Sequence, residues 1–272
     1  MQLLGDIKAI SAAGDGSTYY SGACSYGIKV CDCKSKGIYN CNCPRRYSDP
    51  DAVWGWDSYR ERYYFGDTLY AFTATGCTHD LPIYLRTVQS KRHDSITTIF
   101  ALQELRDLLP SFTIRDLIFD GAMDNYPTYE LCNHLGIRPF IPLNDSTVIA
   151  MKELPKGVSG FDHKGQPICA GGIPYAYWGP SYGKGHKYRC WFAAHNEPCP
   201  CCCTPSTYGR TVYIKPDSDL RLFPDIPRHS ETFKEKLKQR SGAERTNKRL
   251  FLIMKLKMAV CEVPNIDFSE PF

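Results

Sequence analysis

Residues 112–144, FTIRDLIFDGAMDNYPTYELCNHLGIRPFIPLN, decide the fold. FTIRDLIFD is a short apolar run that closes on Asp120 and reads as a strand. A helix of roughly Pro127–Leu135 begins after Asp124 and stops at Gly136, the residue type that best takes a left-handed turn past a helix end. IRPFIPLN then reads as another strand. Strand, helix and strand in so short a span imply a parallel crossover, because parallel neighbours need a connection of a dozen or more residues.

Upstream of this unit, Asp94-Ser95 caps a helix in which Ile96, Ile99, Phe100, Leu102, Leu105, Leu108 and Leu109 fall mostly on one face, until Pro110. Two strands, ERYYFGDTLYAFTA and LPIYLRTVQ, precede it, joined by the turn TGCTHD. Near the start, IKAISAAGDGSTYY reads as a strand running through Gly14-Asp15-Gly16. The order is three strands, helix, strand, helix, strand, which specifies an α/β fold. A cysteine- and glycine-rich excursion, residues 24–50, interrupts the first strands without helical period.

Downstream the character changes. Residues 145–229 are rich in Gly, Pro, Tyr and Cys and read as a β- and loop-rich insertion. Residues 230–272 return to helix, with Ser230 as N-cap and Phe233, Leu237, Leu250, Ile253 and Leu256 as apolar positions. Gly242 weakens the middle of that helix by up to about 1 kcal/mol relative to alanine. The expected organisation is a core over 1–144, an insertion over 145–229, and a closing helix that completes the core over 230–272.

The chain has 272 residues, 43% hydrophobic and 23% charged, which is enough for a sizeable core. No apolar run approaches the roughly 18–20 residues that span a bilayer. The start MQLLGDIKAISAAGDG lacks the basic and apolar regions of a secretory signal, so a cytoplasmic location and no membrane partner are expected. A net charge of +4 says little alone, but positive charge concentrates in Arg228–Lys257. Fourteen cysteines without an export signal argue for metal binding over disulfides.

Three acidic residues stand where an α/β sheet gathers ligands, at strand ends and on an adjacent helix: Asp15, Asp120 and Glu244. Each is weak alone. A GDG tripeptide is most often a turn, Asp120 can simply end a strand, and Glu244 among basic residues reads first as a solvated ion pair. Their arrangement makes the case, since two-metal phosphodiester chemistry needs carboxylates brought together from distant chain positions.

Three blocks carry a resemblance. WGWDSYRERYYFGDTLYAFTA with LPIYLRTVQSKRHDS, then LIFDGAMDNYPTYELCNHLGIRPFIPLN, then KQRSGAERTNKRL, in that order, resemble the catalytic core of bacterial insertion-sequence transposases of the DDE type. The resemblance implies an RNase H-like mixed sheet flanked by helices, with an insertion between the second Asp and the Glu. It implies Asp15, Asp120 and Glu244 as catalytic ligands of Mg²⁺ or Mn²⁺, with water and then a freed 3′-hydroxyl attacking DNA. It implies DNA as partner, both transposon ends and target, with self-association on the DNA. Arg240 matches a family R-x-x-x-E pattern and is expected on phosphate, with Arg245 and Lys248 beside it. Where the family has Tyr before that Arg and Lys after the Glu, this chain has Leu237 and Phe251. It also reads Gly66-Asp67-Thr68 where relatives commonly read Gly-Tyr-Lys.

Two cysteine groups are candidate zinc sites: Cys31, Cys33, Cys41 and Cys43, and a second group of Cys190, Cys199, Cys201 and Cys202 with Cys203 beside them. The remaining Cys24, Cys77, Cys132, Cys169 and Cys261 read as small buried residues. His93 reads as a helix-capping or surface residue, and Trp54, Trp56, Trp178 and Trp191 as core more than as base-stacking platforms. Other readings stay open. Relatives carry a DNA-binding segment ahead of the core and further helix behind it, so a remnant trimmed at both ends and acting only as a zinc-stabilised nucleic-acid-binding module is one. A stand-alone RNase H-like nuclease is the other.

Overall fold

The computed structural model describes residues 3–144, 153–201 and 204–253. Its elements, in chain order, begin with β1 (Ile10–Tyr20), β2 (Ile28–Lys29), β3 (Arg45–Arg46), β4 (Val53–Asp57), β5 (Arg62–Thr75) and β6 (Leu81–Gln89). Then come α1 (Asp94–Leu108), β7 (Ile114–Ile118), α2 (Tyr126–His134) and β8 (Arg138–Phe140). Strands β9 (Gly160–Phe161), β10 (Pro167–Ile168), β11 (Ala176–Ser181) and β12 (Gly185–Arg189) follow, then α3 (Trp191–Ala194) and β13 (Thr211–Ile214). Helices α4 (Glu231–Lys238) and α5 (Ser241–Lys248) lead into a wider π turn, Arg249–Ile253.

The fold is mixed α/β, built on a sheet in which β5 is antiparallel to β1 and β6, while β1, β7 and β8 run parallel. Gly66 pairs with Tyr20 of β1 and also with Val53 of β4, so β1 holds one edge of β5 and β4 the other. Strand β6 takes over that second edge from Asp67 onward. The 14-residue β5 alternates burial in its first half and is buried on both faces in its second, as a strand passing from an edge to the centre must be. The crossover expected from residues 112–144 is present, with β7 and β8 parallel and α2 between them.

Alternation along the strands sorts side chains between two helical layers. Ala12, Leu117, Phe119, Tyr70 and Phe72 join Ala101, Leu102 and Leu105 of α1 and Tyr129 and Cys132 of α2 in the main core. Ala13, Ile118 and Phe140 face the other way and meet Phe233 of α4 and Ala243 of α5. Between Val158 and Phe223 a second core forms around Tyr175, Tyr188, Val212 and Ile214, over the antiparallel sheet β11-β12-β13. Arg228 clamps the two parts together. Buried, it donates to the carbonyls of Ile141 and Leu222 at 2.9 and 3.0 Å and to the Tyr129 hydroxyl at 2.7 Å.

Four sequence expectations need correction. The closing segment is two helices, not one. From Gln239 to Ala243 the backbone bonds shorten to the i→i−3 pattern, which tightens the chain between α4 and α5; residues past 253, including Leu256, lie outside the described residues. Helix α1 buries Thr97, Thr98, Ala101, Leu102 and Leu105, while Ile96, Ile99, Phe100 and Leu108 are exposed. Two threonines sit inside because Tyr70, whose hydroxyl bonds Thr98 Oγ1 at 2.5 Å, brings a polar group there. All four tryptophans are exposed, their rings covered by neighbours on the surface, as with Trp56 against Tyr63. Cys24 is exposed as well, because its loop lies outside both cores. Among the described residues no helix is long and apolar enough to cross a membrane.

One polar network fixes the α4 layer. Asp116 on β7 is completely buried, and Lys236 Nζ of α4 reaches its Oδ2 at 2.8 Å. Arg138 Nε donates to its Oδ1 at 2.7 Å and Ser11 Oγ to its Oδ2 at 3.0 Å. Burial pushes the Asp116 pKa up, but the bonds from Lys236 and Arg138 outweigh it and hold the carboxyl below its ordinary 3.8. The network's stabilisation is therefore present above that value and is lost as pH falls through the depressed native one. Lys236→Met should cost about 2–3 kcal/mol in urea denaturation at pH 7, because the buried Asp116 carboxylate then keeps only two arginines as charged partners, and less at pH 3. Arg115→Ala, at a half-exposed partner of the same carboxylate, should cost under about 0.5 kcal/mol.

Candidate functional site

The Gly14-Asp15-Gly16 tripeptide is strand, not turn. Beyond Ala13 the partner β7 ends, so the outer half of β1 leaves the sheet interior and Asp15 reaches a cleft. The flanking glycines let other residues pack closely on the opposite side of the strand. A Cβ at Gly14 would collide with the Phe119 ring and sit 2.7 Å from the Tyr70 hydroxyl; one at Gly16 would sit 2.8 Å from Asp94 Oδ1. Asp120 lies just past β7 and caps a short 3₁₀ turn, its Oδ1 accepting from Ala122 N at 3.0 Å. Asp15, Asp94, Asp120, Tyr70 and Arg240 line one small pocket.

Helix α5 lies over Asp15. It approaches closely because position 242 is glycine: a Cβ there would sit 2.7 Å from both Asp80 Oδ1 and Thr75 Cγ2. Asn247, one turn after Glu244, donates through Nδ2 to Asp15 Oδ2 at 2.8 Å. Its Oδ1 is buried and has no hydrogen-bond partner among the described residues. Glu244 itself turns outward and pairs with Arg240 at 2.8 Å, its side chain 54% exposed.

Crowding sets the electrostatics. Burial first, then the charges of Asp94 and Asp120, raise Asp15 to a pKa of about 7; Arg240 opposes them and Glu244 adds to the rise. Asp94 is raised too, by burial and by Asp120. The donors are all hard oxygens, the set that suits Mg²⁺ or Mn²⁺, and the partnerless Asn247 Oδ1 beside Asp15 fits the same use. The carboxylates are not drawn tightly together: no three bring oxygens within 4.8 Å of one another. Mutual repulsion accounts for that spacing.

Asp15 and Asp120 thus line one pocket, while Glu244, on the same helix as Asn247, turns away to Arg240. Asp94 and Asn247 were not read from the sequence as site residues. Asp94 looked like a cap, but His93 takes the N-cap, its Nδ1 accepting from Ser95 N at 3.2 Å, as its capping reading expected. The available signals were a second glycine flanking Asp15 and an amide three residues after Glu244.

The basic residues of α4 and α5 are largely engaged. Lys236 serves Asp116, Lys234 pairs with Glu231, and Arg245 Nε donates to Asp80 Oδ2 at 2.7 Å. Lys238 and Lys248 are exposed and form no ion pair among the described residues. Next to the carboxylates runs an open groove of about 670 Å³, sharing Asp94 and walled by Tyr19, Tyr20, Trp56, Tyr59, Arg60 and Arg92. Arg60 and Arg62 each lie 5.7 Å from the Tyr20 ring centre.

The cysteine excursion gathers its own site. The two-residue strands β2 and β3 pair and close a loop in which Cys31, Cys33, Cys41 and Cys43 present sulfurs all within 4.8 Å of one another. Cys31–Cys41 and Cys33–Cys43 are each 3.5 Å apart. A tetrahedral ion with zinc–sulfur bonds of about 2.3 Å needs sulfurs about 3.8 Å apart, so these four can hold a metal such as zinc. The Cys31 thiol and the Cys43 backbone amide pull Cys41 down to about 7, while donation to its three neighbours pushes Cys33 up to about 12. None of the described cysteines forms a disulfide. Cys202 and Cys203, expected in a second group, lie outside the described residues, as does Cys261.

No protein-family description, curated protein or solved structure matches the chain.

The crowded carboxylate has a consequence for stability. Native Asp15 keeps its proton between about pH 4 and pH 7 where an unfolded Asp has lost it, so its contribution falls as pH rises through that window. Asp15→Asn should therefore be near neutral at pH 4 and stabilise by about 2–4 kcal/mol at pH 8, measured by denaturation in EDTA. No gain at pH 8 would mean that Asp15 is not raised by its burial and its acidic neighbours.

Proposed function

We propose that this chain is the catalytic domain of a DDE-type DNA transposase with an RNase H-like core, cleaving and rejoining phosphodiesters at transposon ends. The observation that carries the proposal is that Asp15 and Asp120, 105 positions apart in sequence, line one pocket, with the helix that bears Glu244 bonded to Asp15 through Asn247. A mixed sheet ordered β6-β5-β1-β7-β8 with helices on both faces supports the RNase H-like reading.

An Mg²⁺ or Mn²⁺ ion held by Asp15, Asp120 and Glu244 would offset the negative charge that develops on the attacked phosphate. Asn247 orients Asp15 through its 2.8 Å bond, and α5 covers it from solvent. Arg240 has two claims on it, since a DNA phosphate would compete with Glu244 for the guanidinium. That exchange would release Glu244 to turn towards Asp15. The neighbouring groove, with Tyr20, Trp56 and Tyr59 beside Arg60, suits unpaired nucleotides next to the scissile bond, through stacking and phosphate contacts. Lys248 is open to backbone phosphate, whereas Arg245 reaches DNA only by leaving Asp80. Zinc on Cys31, Cys33, Cys41 and Cys43 is a structural staple in this reading.

The test is nicking and strand transfer on duplex DNA in Mn²⁺ with the full chain. Asp15→Asn, Asp120→Asn and Glu244→Gln should each lower cleavage by more than about 10²-fold while DNA affinity changes less than about threefold. Cleavage unaffected by all three would end the proposal. Nicking without joining would instead favour a stand-alone nuclease.

A further inference from the structure

The second small core carries thiols that the functional reading leaves unused. Cys169 follows β10, Cys190 ends β12, and Cys199 and Cys201 sit in the loop after α3. Cys169 and Cys190 are buried and the other two half-buried. Cys201 interacts with both Cys169 and Cys199, Cys199 interacts with Cys190, and Cys190 and Cys199 line one pocket. Two turns present them. Cys169 opens a tight loop in which Gly172 N bonds Cys169 O at 2.9 Å, and Cys169 N bonds Ile173 O at 2.9 Å. Within that loop position 171 must be glycine, since a Cβ there would collide with Cys201 Sγ and lie 3.7 Å from Cys169 Sγ. At the other end the backbone amides of Phe192 and Ala193 point at the Cys190 sulfur.

We propose that Cys169, Cys190, Cys199 and Cys201 form a second four-thiolate metal site, for zinc or a similar soft divalent ion, separate from the one at Cys31–Cys43. This ligand set joins Cys169, which read as an ordinary buried residue, to Cys190, Cys199 and Cys201 of the sequence grouping; Cys202 lies outside the described residues. No three of these sulfurs lie within 4.8 Å of one another, so a bound metal would have to draw the row into a tetrahedron. The need for it is physical. The described residues between α3 and β13 hold no regular secondary structure, and Cys201 among them packs on a core of only a few large side chains. Small cores of this kind depend on a staple, and here one ion would tie the β10 loop, the end of β12 and the 195–210 loop together. The inference stands whether or not the chain is a transposase, because it concerns only the insertion's own thiols.

The experiment is metal analysis of the full chain purified under reducing conditions, paired with Co²⁺ substitution. Wild-type protein should carry two zinc ions per chain, and the cobalt form should show the intense absorption of tetrahedral thiolate sites. Cys169→Ser should carry one zinc and lose about half the cobalt signal, while Cys31→Ser/Cys41→Ser keeps the complementary ion. Because Cys169 is buried, Cys199→Ser at a half-buried position repeats the test if the first variant does not fold. Cys202→Ser should still carry two. One zinc in the wild type, two in both Cys169→Ser and Cys199→Ser, or a loss on Cys202→Ser with none on Cys169→Ser would each overturn the assignment.

Discussion

The carboxylate of Asp116 sits in the middle of the sheet with no contact with water, and an isolated charge there would be prohibitively costly. Its partners come from three other places in the chain: Ser11 on β1, Arg138 on β8 and Lys236 on α4. Satisfying it therefore joins the first strand, the last core strand and the first closing helix in one step. A buried ion pair does not add much net stability over an apolar alternative, but it does fix geometry, since one partner cannot leave without stranding the other. Here the geometry fixed is the position of α4 on the sheet, and with it where α5 begins.

Everything at the acidic cleft follows from that placement. The tightening between α4 and α5 aims α5 across β1, and Gly242 lets it settle against Thr75 and Asp80. Asn247 is thereby carried to Asp15, which approaches from the side of the sheet that Ala13 shares with α5. The opposite side of β1 is used differently: Gly14 and Gly16 present no side chain to α1, so Phe119, Tyr70 and Asp94 close in. Three carboxylates are left facing one cavity with a single arginine, Arg240, among them. Such a site is destabilising for the chain alone, which is common where a fold is arranged for a charged ligand.

The rest of the molecule is organised to hold loops without much core. Arg228 donates to carbonyls on both sides of the junction between core and insertion, and the Asp124–Arg221 pair at 2.7 Å reinforces it. The Cys31–Cys43 thiols, which can hold a metal, stand in an excursion between β1 and β4 that buries few large side chains. The second site proposed around β12 would use the same chemistry.

Local pattern was sufficient for the order of the core strands along the chain and for α2, because alternation, turn residues and helix stops are properties of short segments. It also brought out Asp15, Asp120 and the Cys31–Cys43 group, since strand ends and C-x-C pairs are visible in sequence. It failed where a residue's setting depends on what packs from far away. The exposed face of α1 and the surface tryptophans reflect which sides the sheet covers, and hydrophobicity alone does not say. The roles of Asp116, Asp94 and Asn247 exist only once Lys236, Gly16 and Asp15 are brought beside them, across 120, 78 and 232 positions of chain. Sequence determined which segments become strands and helices and which side chains have the chemistry to act; the tertiary structure decided which of those side chains share a site, because only packing brings charges distant in sequence within reach of one another.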